Sequence, residues 1–229
     1  MGVNILEELG AKSSISEEHG LALIKDTDMT IFSPGISTAG FAEIRMAQGN
    51  PNRKIVATTI DQKGLDLAKD MIGKVGLQGQ IDTRLEDLRD DWVYPENHFD
   101  YIYARLVLHY LSQQDLDKVL AGFSKSLKSG GRAFIVVRSV KNVDYDNPDT
   151  TYDEETKLTK KVYRGKDGEI EGQSVRYFHT PESISEHLKK AGLEVGEVEE
   201  YQEQLYKDFA RKEISPRKDH LIEVVATKN

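Results

Sequence analysis

Hydrophobic and polar positions along the chain follow two rhythms. Short apolar or β-branched runs fall at Met29–Phe32, Lys54–Ile60, Gln80–Arg84, Asp100–Leu106 and Arg132–Arg138, with two more near Leu193–Glu199 and His220–Thr227. The runs IVATTI and AFIVV are continuous, which suits strands buried on both faces of a sheet. Between them the apolar positions take helical spacing. Gly40–Gln48 places Phe41, Ile44 and Ala47 on one side. Gln62–Gly73 carries Leu65, Leu67, Ala68 and Ile72 and stops near Gly73. Gln113–Lys128 carries Leu116, Val119, Leu120, Phe123 and Leu127 and runs into Lys128-Ser129-Gly130-Gly131, a cation followed by a glycine stop. Thr180-Pro181-Glu182 starts a further helix with an N-cap, a first-turn proline and an acid, and that helix ends at Gly192. Strand–helix alternation predicts an α/β fold around a mostly parallel sheet.

One stretch breaks the rhythm. Lys141–Phe178 is polar, and KKVYR and EGQSVRYF flank the turn Lys166-Asp167-Gly168. It predicts an insertion holding a β-hairpin with its tip near Gly165–Gly168. An insertion after the carboxyl end of a strand can reach over a ligand crevice, so residues 141–178 are a candidate lid. The 229 residues then read as a single domain, 1–229, with an N-terminal helical segment at 1–28.

Composition narrows the partners. Asp and Glu number 39 against 31 Lys and Arg, a formal net charge of -8, which disfavours a broad nucleic-acid platform. The cluster Lys157, Lys160, Lys161, Arg164, Lys166 is flanked by acids and reads as a solvated hairpin. The absence of Cys excludes disulfides, thiolate metal sites and a cysteine nucleophile. The six His residues form no short HxH or HExxH pair, so no metal is expected. No apolar run approaches the roughly 20 residues of a membrane span. MGVNILEELG shows neither a signal-peptide pattern nor, with Leu6 where Ser or Thr is wanted, a myristoylation pattern. These features predict a cytoplasmic protein without membrane contact.

Four segments in order carry a resemblance: HFDYIYARLVLHYL at His98–Leu111, LKSGGRAFI at Leu127–Ile135, FHTPE at Phe178–Glu182 with AGL at Ala191–Leu193 behind it, and VVATK at Val224–Lys228. Together they resemble class I S-adenosylmethionine-dependent methyltransferases over roughly residues 30–228. The resemblance implies a Rossmann-like, mostly parallel seven-stranded sheet with a C-terminal antiparallel strand and helices on both faces. It implies S-adenosylmethionine as cofactor and a small-molecule methyl acceptor, in a monomer or homodimer. Residue by residue, it assigns Asp61, with Gln62 beside it, to the ribose hydroxyls. One carboxylate offers two oxygens to adjacent donors, although Asp61 also reads as a helix N-cap. Asp87 with the Leu88 backbone is assigned to the adenine, with Glu86 as a rival. Ala104 and Arg105 are placed beside the methionine moiety, Arg105 also reading as a surface ion pair.

The first glycine motif departs from the family pattern. In FSPGISTAG, Ser33 stands at the usual acid, Gly35 at the first glycine, Ser37 at the second and Ala39 at the third. A Cβ there adds bulk or strains the turn. The helix start near Thr38–Gly40 still offers amides suited to a carboxylate, and Ser37 and Thr38 add hydroxyls. The predicted cofactor set is therefore Ser33, Gly35, Ser37, Thr38, Asp61, Gln62, Asp87, Leu88, Ala104 and Arg105. Methyl transfer relies on proximity and orientation, so no catalytic triad is expected. His109, Tyr110 and His179 are catalytic candidates, and His19, Tyr163, Arg176 and Tyr177 candidate acceptor contacts. His109 and His179 also read as packed core residues. The altered loop keeps an alternative open, a methyltransferase-like binding or scaffolding protein without catalysis. A nicotinamide-dependent enzyme fits less well because G-x-G-x-x-G is absent.

Overall fold

The computed structural model describes residues 12–36, 38–165, 167–206, 211 and 213–229. Strands β1 (Thr30–Pro34), β2 (Lys54–Thr59), β3 (Ile81–Leu85), β4 (Phe99–Arg105) and β5 (Leu127–Arg138) run parallel. Near the C-terminus, β9 (Glu194–Tyr206) and β10 (Ile214–Thr227) complete a seven-stranded sheet of order β3-β2-β1-β4-β5-β10-β9, with β10 antiparallel to both neighbours. This is the mixed α/β sheet expected from the sequence.

Side chains alternate between the two faces of each strand. Ile31, Tyr101, Tyr103, Phe134 and Val136 point to one face, where they meet α2 (Phe41–Gln48) and α3 (Gln62–Lys74). Phe32, Ile102, Ala104, Ile135 and Val137 point to the other, beneath α4 (Gln113–Ser126) and α5 (Pro181–Lys190). On the first face α1 (Ile15–Ala22) approaches so closely that a Cβ on Gly20 would sit 2.5 Å from the Tyr103 ring. Local chemistry fixes the helix starts. Ser112 caps α4 by accepting from the Asp115 N–H (3.2 Å). Thr180 and Ser183 form a reciprocal capping box ahead of α5.

Four boundaries differ from the sequence reading. β1 is displaced to Thr30–Pro34, where it pairs with β2 along its whole length. The predicted glycine stop of Gln113–Lys128 is not a helix end. The helix closes at Ser126, Leu127 is already extended, and Gly130 and Gly131 exchange backbone hydrogen bonds with Lys228. Lys128 pairs with Asp100 (2.7 Å) and so ties β5 to β4 instead of serving the helix dipole. The last hairpin is longer than predicted, 13 and 14 residues, because its outer halves are polar and carry no apolar run. The insertion contains the expected hairpin, β7 (Thr159–Arg164) and β8 (Ile170–Arg176), and adds β6 (Thr150–Tyr152) as a third strand. Residues 1–11 of the predicted N-terminal helical segment lie outside the described residues.

Candidate functional site

β1 lies between β2 and β4, so the connections after β1 and β4 diverge to opposite faces, and a crevice opens at their carboxyl ends. There lies a cavity of about 440 Å³ lined by the ends of β1, β2, β3 and β4 and the turns that follow. Its volume falls within the range of small-molecule sites, roughly 300–1,000 Å³.

The floor is set by two close approaches. Gly35 has φ +73°, and a Cβ there would lie 2.8 Å from Val107, so the loops after β1 and β4 touch only because this residue is glycine. The Ile36 N–H donates to the Thr58 carbonyl (2.7 Å), prolonging the β1–β2 pairing into the loop. Further on, Ala39 holds φ +56°, a left-handed conformation that disfavours a side chain. The expectation of strain in this loop is met at that residue. Leu106 is likewise left-handed (φ +56°), turning the chain out of β4 so that Val107, Tyr110 and Leu111 face the cavity.

Two carboxylates line the opposite wall, and each is held by one donor. The Tyr94 hydroxyl donates to both oxygens of Glu86 (2.9 and 2.8 Å). The Arg89 guanidinium and backbone N–H bind Asp87, which holds its carboxyl below the usual range. Glu86, met by a single hydroxyl, retains free lone pairs for a ligand donor, whereas both oxygens of Asp87 are engaged by Arg89.

The predicted residues divide into several groups. Gly35, Asp87, Leu88 and Tyr110 line the cavity. Ser33 is buried beneath it and donates its hydroxyl to Glu43 of α2 (2.6 Å), so a carboxylate from the next helix reaches the position where the family pattern has its acid. Asp61 is the exposed N-cap of α3, accepting from the Lys63 N–H (3.0 Å), and the β2 wall of the cavity ends before it, at Thr58, Thr59 and Ile60. Gln62 is exposed and bonded to Asp66 (2.7 Å). Ala104 is core. Arg105 turns away to the N-terminal region, donating to Ser16 (2.6 Å) and Ser14 (2.5 Å) beside Glu203 (3.5 Å). Ser37 lies outside the described residues, and Thr38 contributes the first residue of a 3-10 turn, Thr38–Gly40.

The catalytic and acceptor candidates scatter more widely. His109 is fully buried, and burial first, then the charges of Arg138, Arg176 and His179, push it far below the usual imidazole range. Burial and His187 lower His179 to about 3. Both rings are therefore neutral at physiological pH. Tyr177 bonds to His187 (3.1 Å), which in turn meets Asp117 (2.6 Å). Tyr163 is on the exposed hairpin, 3.1 Å from Ser174. His19 joins Glu223 (3.1 Å) and Glu199 in a cluster on the β9–β10 face, away from the cavity lining, a grouping of potential metal ligands that linear spacing had concealed.

Sequence reading missed Ile36, Thr58, Thr59, Ile60, Arg89, Leu106, Val107 and Leu111 as cavity residues. Their signal was positional, since each stands at or just past a strand's carboxyl end.

Residues 35–131 match the family described as a methyltransferase domain. Among solved structures, the chain is similar to a SAM-dependent methyltransferase from Methanosarcina mazei (15% identity over 90% of this chain and 95% of that one, TM-score 0.68). It is similar to a putative S-adenosylmethionine-dependent methyltransferase from Listeria monocytogenes (16%, 93% and 98%, TM-score 0.68). The [4+2]-cyclase SpnF shares the fold at 18% identity over 93% of this chain and 79% of that one, TM-score 0.61. No curated protein matches the sequence.

Proposed function

We propose that this chain, whose fold is shared with S-adenosylmethionine-dependent methyltransferases and whose residues 35–131 match a methyltransferase-domain family, binds S-adenosylmethionine and transfers the methyl group to a small-molecule acceptor. One observation carries the reading: the cavity of about 440 Å³ stands at the sheet's switch point, with Gly35 pressed against Val107 on its floor and Glu86 and Asp87 on its wall. When bound, S-adenosylmethionine supplies an electrophilic methyl on sulfonium sulfur.

The residues present fit that compound. Asp87 and Glu86 are oriented acceptors for an amino group on a ring, because Arg89 and Tyr94 hold them in place. Leu88, Val107 and Leu111 offer apolar contact to the ring itself. At the end of β2, Thr58 and Thr59 line the ribose side, and Asp61 is one step further out. Ser33 with Glu43 places a buried carboxylate behind the loop that faces the methionine end. What remains for the chain is to orient the acceptor and exclude water, and Tyr110, which lines the cavity, supports that role. His109 is neutral and enclosed, which suits it to packing against the acceptor side, not to exchanging protons with solvent.

Calorimetric titration with S-adenosylmethionine and S-adenosylhomocysteine tests the reading. Binding of both is expected, and Asp87→Ala weakens it by about tenfold, the worth of one charge-assisted hydrogen bond. Absence of heat with both compounds removes the proposal. A second reading, a binding or scaffolding protein without turnover, is favoured by the left-handed Ala39 and the absence of an acid at Ser33. It prevails if neither compound binds or if bound methyl donor never turns over with any acceptor.

A further inference from the structure

Behind Tyr110, away from the strand ends, the segment leading out of the insertion threads between two others. The Tyr177 N–H donates to the His109 carbonyl (2.8 Å), and the His179 N–H donates to the Arg138 carbonyl (2.9 Å). This brings together polar groups from five elements: His109 after β4, Arg138 at the end of β5, Thr159 and Arg176 facing each other across β7 and β8, and His179 before α5.

These groups have unmet hydrogen-bonding capacity. Both ring nitrogens of His109, Nε2 of His179, Nε of Arg138, Nε and Nη1 of Arg176 and Oγ1 of Thr159 are inaccessible to solvent and have no hydrogen-bond partner among the described residues. His109 is 1% exposed and His179 0%. Buried polar groups are satisfied in the great majority of proteins, and a group of orphans gathered in one place calls for an explanation.

The charges point to the ligand. Arg138 is compensated by Asp219 at 2.7 Å. Arg176 has no carboxylate partner among the described residues, and its nearest charge-accepting neighbour is the Tyr110 ring, 5.2 Å from the guanidinium carbon. The histidines are neutral. The cluster therefore carries one uncompensated positive charge and a surplus of N–H donors. Leaving a cation partly buried without a counter-ion costs several kcal/mol, whereas a paired one is tolerated. Tyr110 is the link to the cavity, since it lines that space, stacks beside Arg176 and is 54% exposed.

We propose that Arg176, with His109, Arg138 and His179, forms the subsite for a single carboxylate on the methyl acceptor, reached from the cavity past Tyr110. The substrate class is then a small monocarboxylic acid with its methyl-accepting atom directed toward the strand ends. Arg176 is the charge partner, and the neutral imidazoles and Arg138 Nε donate to the remaining lone pairs. This inference rests on the methyl-transfer reading for its substrate role, and it is tested separately from it.

The full-length protein, with and without saturating S-adenosylhomocysteine, is followed by thermal unfolding and by calorimetry against benzoate and salicylate, each beside its uncharged amide, and against inorganic phosphate. The carboxylates are expected to raise the unfolding midpoint and bind about tenfold or more tightly than the amides. Arg176→Met is expected to abolish that preference while leaving S-adenosylhomocysteine affinity unchanged, and to raise the midpoint of the ligand-free protein by removing an unpaired charge. Arg176→Lys keeps the charge and is expected to retain part of the carboxylate preference. Equal response to acids and amides, tighter binding of phosphate, or a lowered ligand-free midpoint in Arg176→Met with the acid preference intact would overturn the assignment. Loss of S-adenosylhomocysteine binding alone strikes the methyl-transfer reading and leaves the carboxylate measurement standing.

Discussion

Under α4, Phe32 stacks on Phe99 (5.3 Å between centroids) and meets Tyr94 (4.7 Å), Trp92 (5.7 Å) and Phe123 (6.0 Å). On the opposite face, one residue along β1, Ser33 meets Glu43, and beyond it α1 is fastened by buried charge. Glu17 is fully buried between Arg45 (3.3 Å) and Arg211 (2.7 Å), while both oxygens of buried Glu203 accept from Ser16 (2.8 and 2.6 Å). Apolar burial is non-directional and tolerates exchange of one apolar group for another of similar volume. The charged layer requires each partner in place, because a missing member leaves its counterpart buried and unpaired. The aromatic face is built to be stable, and the charged face to hold one arrangement of α1, α2 and the β9–β10 hairpin.

Substitutions can separate the two faces. Phe32→Ala empties the centre of the aromatic cluster and is expected to cost about 3–5 kcal/mol in urea unfolding, with folding still cooperative. Glu203→Ala is expected to cost about 3 kcal/mol and to do so unevenly, since α1 loses its anchor and the N-terminal region becomes open to limited proteolysis before the core melts. If proteolysis and global unfolding coincide, the charged layer is not a separable fastening. Ala39→Gly relieves a left-handed residue on this face and is expected to add up to about 1 kcal/mol, net of the extra freedom glycine gives the unfolded chain.

Acid distinguishes the faces with the smallest perturbation. His179 titrates near 3 in the folded chain and near its ordinary value when unfolded, so the unfolded state binds the additional proton. Stability from this residue is complete above about pH 6.5 and is lost as pH falls toward 3. Glu18 is held below its usual value chiefly by Arg45, so its contribution is present above about pH 4.5 and is lost below it. Trp92 fluorescence in urea, recorded across this range, should show the histidine-linked loss first, and His179→Asn should make that upper segment shallower, with buried His109 supplying the remainder.

What was legible in the sequence was short in range. The Gly35 turn, the Asp87-Leu88 pair and Tyr110 each owe their place to their neighbours in the chain, and all line the cavity. The charged layer was not legible because Glu203 meets Ser16 across 187 residues and nothing local marks either one. Arg105 was misplaced for the same reason, its position in β4 being readable and its partners on α1 not. Asp61 shows a different limit: an acid near a strand's end satisfies two compatible patterns, of which the structure displays the helix cap. The polar outer half of the last hairpin lacks an apolar signal, so its strands were read short.

β9 is one open margin of the seven-stranded sheet, and its unpaired backbone groups form a template onto which another chain could add a strand. Glu194, Glu197 and Glu199 are exposed along it, so an approaching β9 of a second molecule would bring like charges together. The acidic balance of the chain is thus partly concentrated where association must be refused. Neutralising these three carboxylates by substitution with threonine would leave the fold intact and turn its margin adhesive, and the first symptom would be aggregation of native protein, with no loss of thermal stability.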